Sequence, residues 1–475
     1  MRRISAVLYL VAAAPLAAAL FATTTARAAG ALETVAQGAT DGLGLRAGPP
    51  EGPAGGASVV VAAPFVSDDA APKGDELALR VAALVAGRIG AGARAQAQTA
   101  PLPSARAIAG RARALVYVQT EVAKGDLRTT IDVYPSMGNP WDRIRNPLPS
   151  PARHGFATTK IDAEVRAFLA PLLLEQASVD RARHQEGDVL AAACGDVDGD
   201  GGNELVLVSA ARVAIGRLRG GWFVPERTAT WDAIGPALPV PMREPLAVAT
   251  IVPGGIEVGS TSRGGVRLLP DLTVAGALAG LPVWGGDDAV CLRPEPSAGA
   301  FDGAPIDCAI RHDPRPAMAV PAPRFDAFGA ATFADAAGNA RTVVAVREPS
   351  GRLRLKAGDA LAVPAGTFGA QVAIGDLDQD GQPDIASSTD LPATGAQPGR
   401  PDDAIDIATW TPGDPDLHGR LHLAAPGGVR ALAMCPPEEH GQPVLVAIVG
   451  GEVWLVRAGL PGAPADPAGD RKAAP

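Results

Sequence analysis

The sequence predicts a mostly β protein: a β-propeller of six or seven four-stranded blades, preceded by a small N-terminal α/β domain. Three observations predict it. Apolar, strand-like runs recur beyond Arg183 at intervals of roughly 40–60 residues, the spacing of propeller blades. Helix-length periodic segments are scarce after Ala177. The chain of 475 residues holds 56 Gly and 45 Pro, a turn-rich composition that suits many short strands.

The N-terminus reads as an export signal. Arg2 and Arg3 precede an apolar run from Val7 to Phe21, and the small-x-small tripeptide Ala26 to Ala28 follows. This is the pattern of a cleaved signal peptide over residues 1–28. The run is short for a transmembrane anchor, and no second apolar stretch of about 20 residues follows. The mature protein is therefore expected to be soluble, periplasmic or secreted, with no membrane span. Loss of Arg2, Arg3 and Arg27 takes the formal charge from −9 to −12, which argues against nucleic acid as a partner.

Residues 29–57 are Gly-, Pro- and Ala-rich without sustained periodicity and are expected to form a flexible leader. Order is expected from Ser58 to Phe65, a short apolar run suited to a buried strand. A helix follows, with Asp75 and Glu76 at its start, Leu77, Val81, Leu84 and Val85 on one face, and Gly90 at its end. Ser104 to Ala114 is a second helical candidate. Leu115 to Val122 and Leu127 to Val133 alternate with period two around Lys124, Gly125 and Asp126, which predicts a hairpin. A third helix is expected to carry Ile161, Val165, Phe168, Leu169 and Leu172. Together these elements give an α/β domain over 58–177.

Val59 to Phe65 with the helix after it, and the passage from Ile108 to Val118, resemble the N-terminal α/β domain of TolB-like periplasmic proteins. The resemblance covers about 110 residues and implies a surface for protein partners, without catalytic residues.

From 183 to 460 the chain repeats an apolar strand, a polar loop and further short strands. The repeats start near Val189, Leu246, Ala289, Phe328, Ala370 and Val429. The first and last match best: Val189 to Cys194 followed by Leu205 to Ser209 parallels Val429 to Cys435 followed by Val444 to Ile448. One blade cannot bury its own faces, so the blades must close into a ring. Residues 461–475 are expected to be a disordered tail.

Two loops carry the specific chemistry. Asp196, Asp198, Asp200 and Glu204 stand at positions 1, 3, 5 and 9 of one, with Gly201 at position 6. Asp376, Asp378, Asp380 and Asp384 repeat the design in the other, with Gly381 at position 6. Four carboxylates converging on one point repel unless a cation neutralises them, and hard oxygen donors at this density suit Ca²⁺. The alternative is a pair of acidic β-turns. An EF-hand or dockerin loop would need an acidic residue at position 12, where this chain has Leu207 and Ser387. Both loops run directly into strands, and this setting resembles the FG-GAP/VCBS repeats of integrin-type propellers. The resemblance implies one structural ion held by Asp196, Asp198, Asp200, Glu204 and the carbonyl of Gly202. A second would be held by Asp376, Asp378, Asp380, Asp384 and the carbonyl of Gln382. Phe333 to Asn339 keeps a single Asp, and Pro436 to His440 has none; neither is expected to bind metal.

Catalytic signatures are absent: there is no Gly-x-Ser-x-Gly, His-Glu-x-x-His or phosphate-binding glycine loop. His418 and His422 are four apart but lie in strand-like sequence. The expected function is a calcium-binding interaction or scaffold module for a protein or glycan at the cell envelope. The alternative is a hydrolase or lyase with its site in the central channel. The four cysteines allow three pairings. Cys194 and Cys435 close the opening strands of the first and last repeats, which ring closure makes neighbours, and Cys291 and Cys308 lie 17 positions apart in one repeat. These two pairs are the candidate disulfides, and equal register alone does not guarantee the Cβ separation that a bridge demands; the alternative is four buried thiols.

Overall fold

The computed structural model describes residues 30–44, 57–67, 70–90, 92–110, 112–135, 150–235, 246–285, 289–294, 302–309, 318–335, 337, 339–389, 403–438 and 442–461. The expected signal peptide lies outside the described residues, as do positions 45–56 of the expected leader and the expected tail beyond Pro461.

The N-terminal part builds one mixed sheet with helices packed on it. Helix α1 spans Ala31–Gly42, and β1 (Ser58–Ala62) and β2 (Val66–Ser67) precede α2 (Gly74–Ile89). Then come β3 (Ala93–Ala95), α3 (Leu102–Ala109), β4 (Ala114–Ala123), β5 (Asp126–Pro135) and β6 (Arg153–Lys160). The sheet order is β3-β1-β4-β5-β6, with β2 alongside β4. β4 and β5 join through Lys124 and Gly125, both with positive φ (52° and 72°), the two-residue turn whose twist matches a hairpin. Leu32, Val35 and Ala36 of α1 and Leu77, Val81 and Val85 of α2 share one buried core with Val116, Val118, Leu127 and Ile131 of the sheet.

Helix α1 corrects the expectation of a flexible leader over 29–57. Leu32, Val35, Ala36 and Ala39 follow helical spacing and are fully buried, a stripe concealed by the Ala- and Gly-rich composition around it. β6 was not foreseen either, since it is a largely solvated, polar strand. The third helix is a single turn, Ala163–Arg166, N-capped by Asp162, whose Oδ1 accepts from Val165 N–H at 3.0 Å. The apolar residues assigned to one helix face serve two cores: Ile161, Val165 and Leu169 pack under the N-terminal sheet, whereas Leu172 packs beyond it, with Leu174.

The remaining strands form a propeller-like arrangement. β7 (Leu173–Arg183) leads to β8 (Val189–Gly195), β9 (Glu204–Ser209), β10 (Arg212–Arg219) and β11 (Trp222–Thr230). Next are β12 (Ala247–Val252), β13 (Gly255–Ser260), β14 (Gly264–Leu268) and β15 (Val274–Ala277), followed by β16 (Leu281–Trp284), β17 (Val290–Pro294) and β18 (Gly303–Asp307). Then follow β19 (Ala327–Ala334), β20 (Ala340–Arg347), β21 (Leu353–Ala357) and β22 (Ala360–Ala362). The last are β23 (Val372–Gly375), β24 (Asp384–Ser388), β25 (Ala404–Thr409), β26 (His418–Ala424), β27 (Val429–Cys435), β28 (Val444–Val449) and β29 (Glu452–Gly459).

These strands make four separate antiparallel sheets of three or four strands, β12–β15, β16–β18, β19–β22 and β23–β26, rather than six or seven. The first and last repeats run together in one eight-stranded sheet, ordered β27-β28-β29-β7-β11-β10-β9-β8. Within the sheet its two halves are paired only through one parallel residue pair, Arg183 with Trp222. The opening strands pack in a cycle: β8 against β12, β12 against β16, β16 against β19, β19 against β23, β23 against β27 and β27 against β8. Neighbouring sheets bury their faces on each other. Val206, Val208 and Ile215 meet Ile256, Val258 and Leu268, for example, so each sheet supplies the cover its neighbour lacks.

Two boundaries are corrected. β7 lies across the expected limits at 177 and 183, because it pairs antiparallel with β29 along most of its length and belongs to the last sheet. The third repeat opens at Leu281 rather than near Ala289; its first strand is four residues long and includes Pro282, so the stronger apolar run from Val290 concealed it. Both candidate disulfides are present, Cys194–Cys435 across the seam and Cys291–Cys308 between β17 and the residue after β18.

Candidate metal centres

The two acidic loops occupy the same place in their sheets, between first and second strands: residues 196–203 join β8 to β9, and residues 376–383 join β23 to β24. Their backbones match. Positions 4 and 6 are left-handed in both, Gly199 (φ 81°) and Gly201 (φ 87°) in the first, Gln379 (φ 57°) and Gly381 (φ 83°) in the second. Two such reversals within three residues fold the carboxylates inward, and glycine is favoured there because it has no Cβ. The position-9 carboxylate in each loop accepts from the position-2 N–H: Glu204 Oε2 from Val197 at 2.9 Å, and Asp384 Oδ2 from Leu377 at 2.8 Å. The position-1 carboxylate accepts from the position-6 N–H: Asp196 Oδ2 from Gly201 at 2.9 Å, and Asp376 Oδ2 from Gly381 at 3.0 Å.

Three carboxylates of each loop offer oxygens that all lie within 4.8 Å of one another: Asp196, Asp198 and Glu204 in the first, Asp376, Asp378 and Asp384 in the second. Either trio could hold a metal ion. The position-5 carboxylates, Asp200 and Asp380, are not in these groups. Asp200 Oδ1 accepts from Gly202 N–H at 2.8 Å and Asp380 Oδ1 from Gln382 N–H at 2.7 Å, so each also braces the turn that presents the position-7 carbonyl.

The electrostatics of the loops differ. In the second, burial pushes the Asp376 carboxyl up to about 9, assisted by the charges of Asp384, Asp380 and Asp378. Burial raises Asp384 to about 8, with repulsion from Asp378 adding to it, and raises Asp378 to about 6, with Asp380 adding to it. Asp380 is raised as well, mainly by burial. Oδ1 of Asp376 and Oε1 of Gln382 are buried without a hydrogen-bond partner. A cation at this point would restore the ionised forms and take up the Asp376 oxygen, so this donor set fits a hard divalent ion. In the first loop, Arg217 Nη2 donates to Asp200 Oδ2 at 2.7 Å, and Arg217 Nε donates to Glu204 Oε1 at 2.9 Å. Arg227 Nη2 donates to Asp198 Oδ2 at 3.2 Å. The hydrogen bond from Arg217 holds the Asp200 carboxyl below its ordinary value.

Sequence reasoning missed the groups around the loops. Thr409, across β24–β25 from Asp384, donates to Asp384 Oδ1 at 2.7 Å. Arg420 of β26 lies 3.5 Å from Asp378 Oδ2 and also pairs with Glu175 of β7. Gln379 is buried against the N-terminal part: its Nε2 donates to the Ile161 carbonyl at 3.0 Å, and its Oε1 accepts from Arg166 at 3.0 and 3.2 Å. These partners lie far off in sequence, and only strand register and docking bring them to the loop.

The degenerate loops hold no such cluster among the described residues. Asp335 is satisfied by the N–H groups of Ala337 and Asn339 and by Arg341. Glu438 accepts from Asn203 N–H at 2.6 Å, which ties the loop after β27 to the first acidic loop. His418 and His422 pair separately with Asp414 (3.1 Å) and Asp406 (2.6 Å). A cavity of about 500 Å³ lies beside the second loop, lined by Thr159 to Ala163 of the N-terminal part, by β19, and by Asp376, Gln379 and Met434.

No family model matches the chain. No curated protein sequence matches it. Among solved structures, the soluble aldose sugar dehydrogenase from Escherichia coli is 11% identical, with 59% of this chain and 100% of that chain covered and a TM-score of 0.34. The Dos1 propeller is 12% identical over 63% of this chain and 97% of that one, TM-score 0.31. The Swd1 β-propeller domain from Myceliophteria thermophila is 10% identical over 70% and 92%, TM-score 0.31. At these scores the propeller-like arrangement rests on the sheet topology described above.

Proposed function

We propose that this chain is an exported, calcium-binding β-propeller that acts as an interaction or scaffold module for a protein or glycan at the cell envelope. In this reading the eight-stranded sheet is two blades, β8–β11 and β27–β29 with β7, which gives a six-bladed ring of the FG-GAP/VCBS type. The N-terminal sheet is a second, TolB-like docking surface. The ion is Ca²⁺, structural in role, and its ligands are the loop carboxylates together with the position-7 carbonyl.

The observation that carries this reading is the buried, unpartnered Oδ1 of Asp376 among three further carboxylates. A buried, unpartnered oxygen in a carboxylate cluster is costly, and a divalent ion both neutralises the cluster and completes its coordination. The same observation favours a platform over a hydrolase or lyase. Among the described carboxyl groups, the large upward shifts fall on Asp376, Asp378 and Asp384, which are committed to the loop. The test is capture from native envelope extract by the mature protein, with Ca²⁺ and with chelator. The reading expects one discrete protein or glycan held in Ca²⁺ and released by chelator. Turnover of a glycan or peptide substrate by the purified protein, with no retained partner, would contradict it.

A further inference from the structure

We propose that the first acidic loop carries its own cation, the guanidinium of Arg217, so that of two loops built to one design only the second takes a divalent ion. The inference rests on the calcium reading of the second loop and specifies how the metal is distributed between them.

The loops agree in motif, in both left-handed positions, in the bond from the position-6 N–H to position 1 and in that from the position-2 N–H to position 9, so backbone shape does not separate them. The third strand of each sheet does. In β24–β25, Thr409 pairs with Asp384. In β9–β10, Gly216 pairs with Leu205, and the next residue along β10 is Arg217, which therefore meets Glu204. A threonine brings one hydroxyl to the position-9 carboxylate, whereas an arginine brings a full charge and a fork of donors. Arg217 uses that fork on two carboxylates at once, with Nε and Nη2 on Glu204 and Nη2 also on Asp200.

The fourth strands also differ in what they spare for the loop. Arg227 of β11 donates to Asp198 at 3.2 Å. Arg420 of β26 stands 3.5 Å from Asp378, and its Nε and Nη2 also donate to Glu175. The first loop thus sets two guanidinium groups against its four carboxylates, and the second has one, shared with a fifth carboxylate. The oxygens differ too: Asp196 Oδ1 accepts from Gly199 N–H at 2.6 Å, Asp198 and Asp200 are exposed and Glu204 is paired with Arg217, whereas Oδ1 of Asp376 is buried without a partner. An ion entering the first loop would have to displace a charge-assisted, two-carboxylate contact, and one entering the second displaces none from its position-9 residue.

Calcium titration by calorimetry on the full mature protein tests this, with Ca²⁺ alone as the probe. The wild type should bind one ion per chain, lost in Asp376→Asn and kept in Asp196→Asn. Arg217→Ala should bind a second ion, which the further change Asp196→Asn removes, and Arg217→Lys should stay at one. Two ions on the wild type, one of them lost in Asp196→Asn, would overturn the inference and leave the calcium reading standing. If the wild type binds none, the calcium reading of the second loop fails. In that case one ion on Arg217→Ala, removed by the further change Asp196→Asn, supports only the assignment of Arg217 as the first loop's cation, and none overturns that as well. Should Arg217→Ala fail to fold, the wild-type, Asp196→Asn and Asp376→Asn arms decide the matter.

Discussion

At Asp376 one carboxylate oxygen takes the Gly381 N–H at 3.0 Å and the other is buried with no partner, beside three more carboxylates. Without a cation, such a group is most stable protonated, which is why its pKa rises to about 9. The folded chain then holds protons that the unfolded chain has already released. A raised carboxyl contributes stability that is complete below its ordinary value and is lost as pH climbs through the folded value. In chelator, the wild type should therefore lose melting temperature relative to Asp376→Asn as pH rises from about 5 to about 9. Saturating Ca²⁺ should flatten that difference, since the ion takes over the role of the protons. Melting curves of the two proteins across this range, with and without Ca²⁺, check it. A constant difference in chelator would contradict the assigned environment.

Gln379 shows what the loop element does beyond presenting carboxylates. It is a non-glycine residue at φ 57°, a conformation that L side chains adopt at a cost. Its side chain is buried against Arg166 and the Ile161 carbonyl, so docking on the N-terminal part compensates the strain. Gln379→Ala should destabilise the protein by about 1–3 kcal/mol through the unmet Ile161 carbonyl and the acceptor lost to Arg166. Gln379→Gly should recover part of the loss by relieving the backbone. Chemical denaturation of both variants tests this, and equal stability of Ala and wild type would contradict it. The same element shows how far the sequence could be read. The spacing of Asp376, Asp378, Asp380 and Asp384 within nine residues predicted that all four would converge; a single turn brings Asp376, Asp378 and Asp384 together, while Asp380 lies outside the group. Arg166, Thr409 and Arg420 were not legible, because they reach the loop through a distant turn and through strand register. For a similar reason α1 was missed, since its stripe of Leu32, Val35, Ala36 and Ala39 is set in low-contrast Ala- and Gly-rich sequence. The hairpin at Lys124 and Gly125 was legible because its period-two pattern and turn are both local.

At the scale of the whole molecule, the seam between the first and last repeats is held three ways. β7 pairs with β29, β8 packs against β27, and Cys194 is bonded to Cys435 across 241 residues of sequence. Equal register in the two repeats, given ring closure, made that pair a candidate, but register alone does not set the Cβ separation a bridge demands. A link closing so long a loop restricts the unfolded chain strongly, and removing a native disulfide typically costs about 2–5 kcal/mol. The double variant Cys194→Ser with Cys435→Ser should lose stability in that range, more than the Cys291 and Cys308 pair, whose loop spans 17 residues. Alkylation of the unreduced protein followed by mass spectrometry should modify none of the four thiols. Modification of all four would contradict both bridges.

The central claim is that the acidic loop from Asp376 to Asp384 is a cation site that stabilises the fold, and differential scanning calorimetry with added Ca²⁺ tests it most directly. Binding to the native state alone stabilises by mass action, about 2.7 kcal/mol when free Ca²⁺ is ~100 times the dissociation constant. The wild type should show a melting temperature that climbs with Ca²⁺ and falls back with chelator, and Asp376→Asn should show neither change. A wild-type melting temperature indifferent to Ca²⁺ would contradict the account.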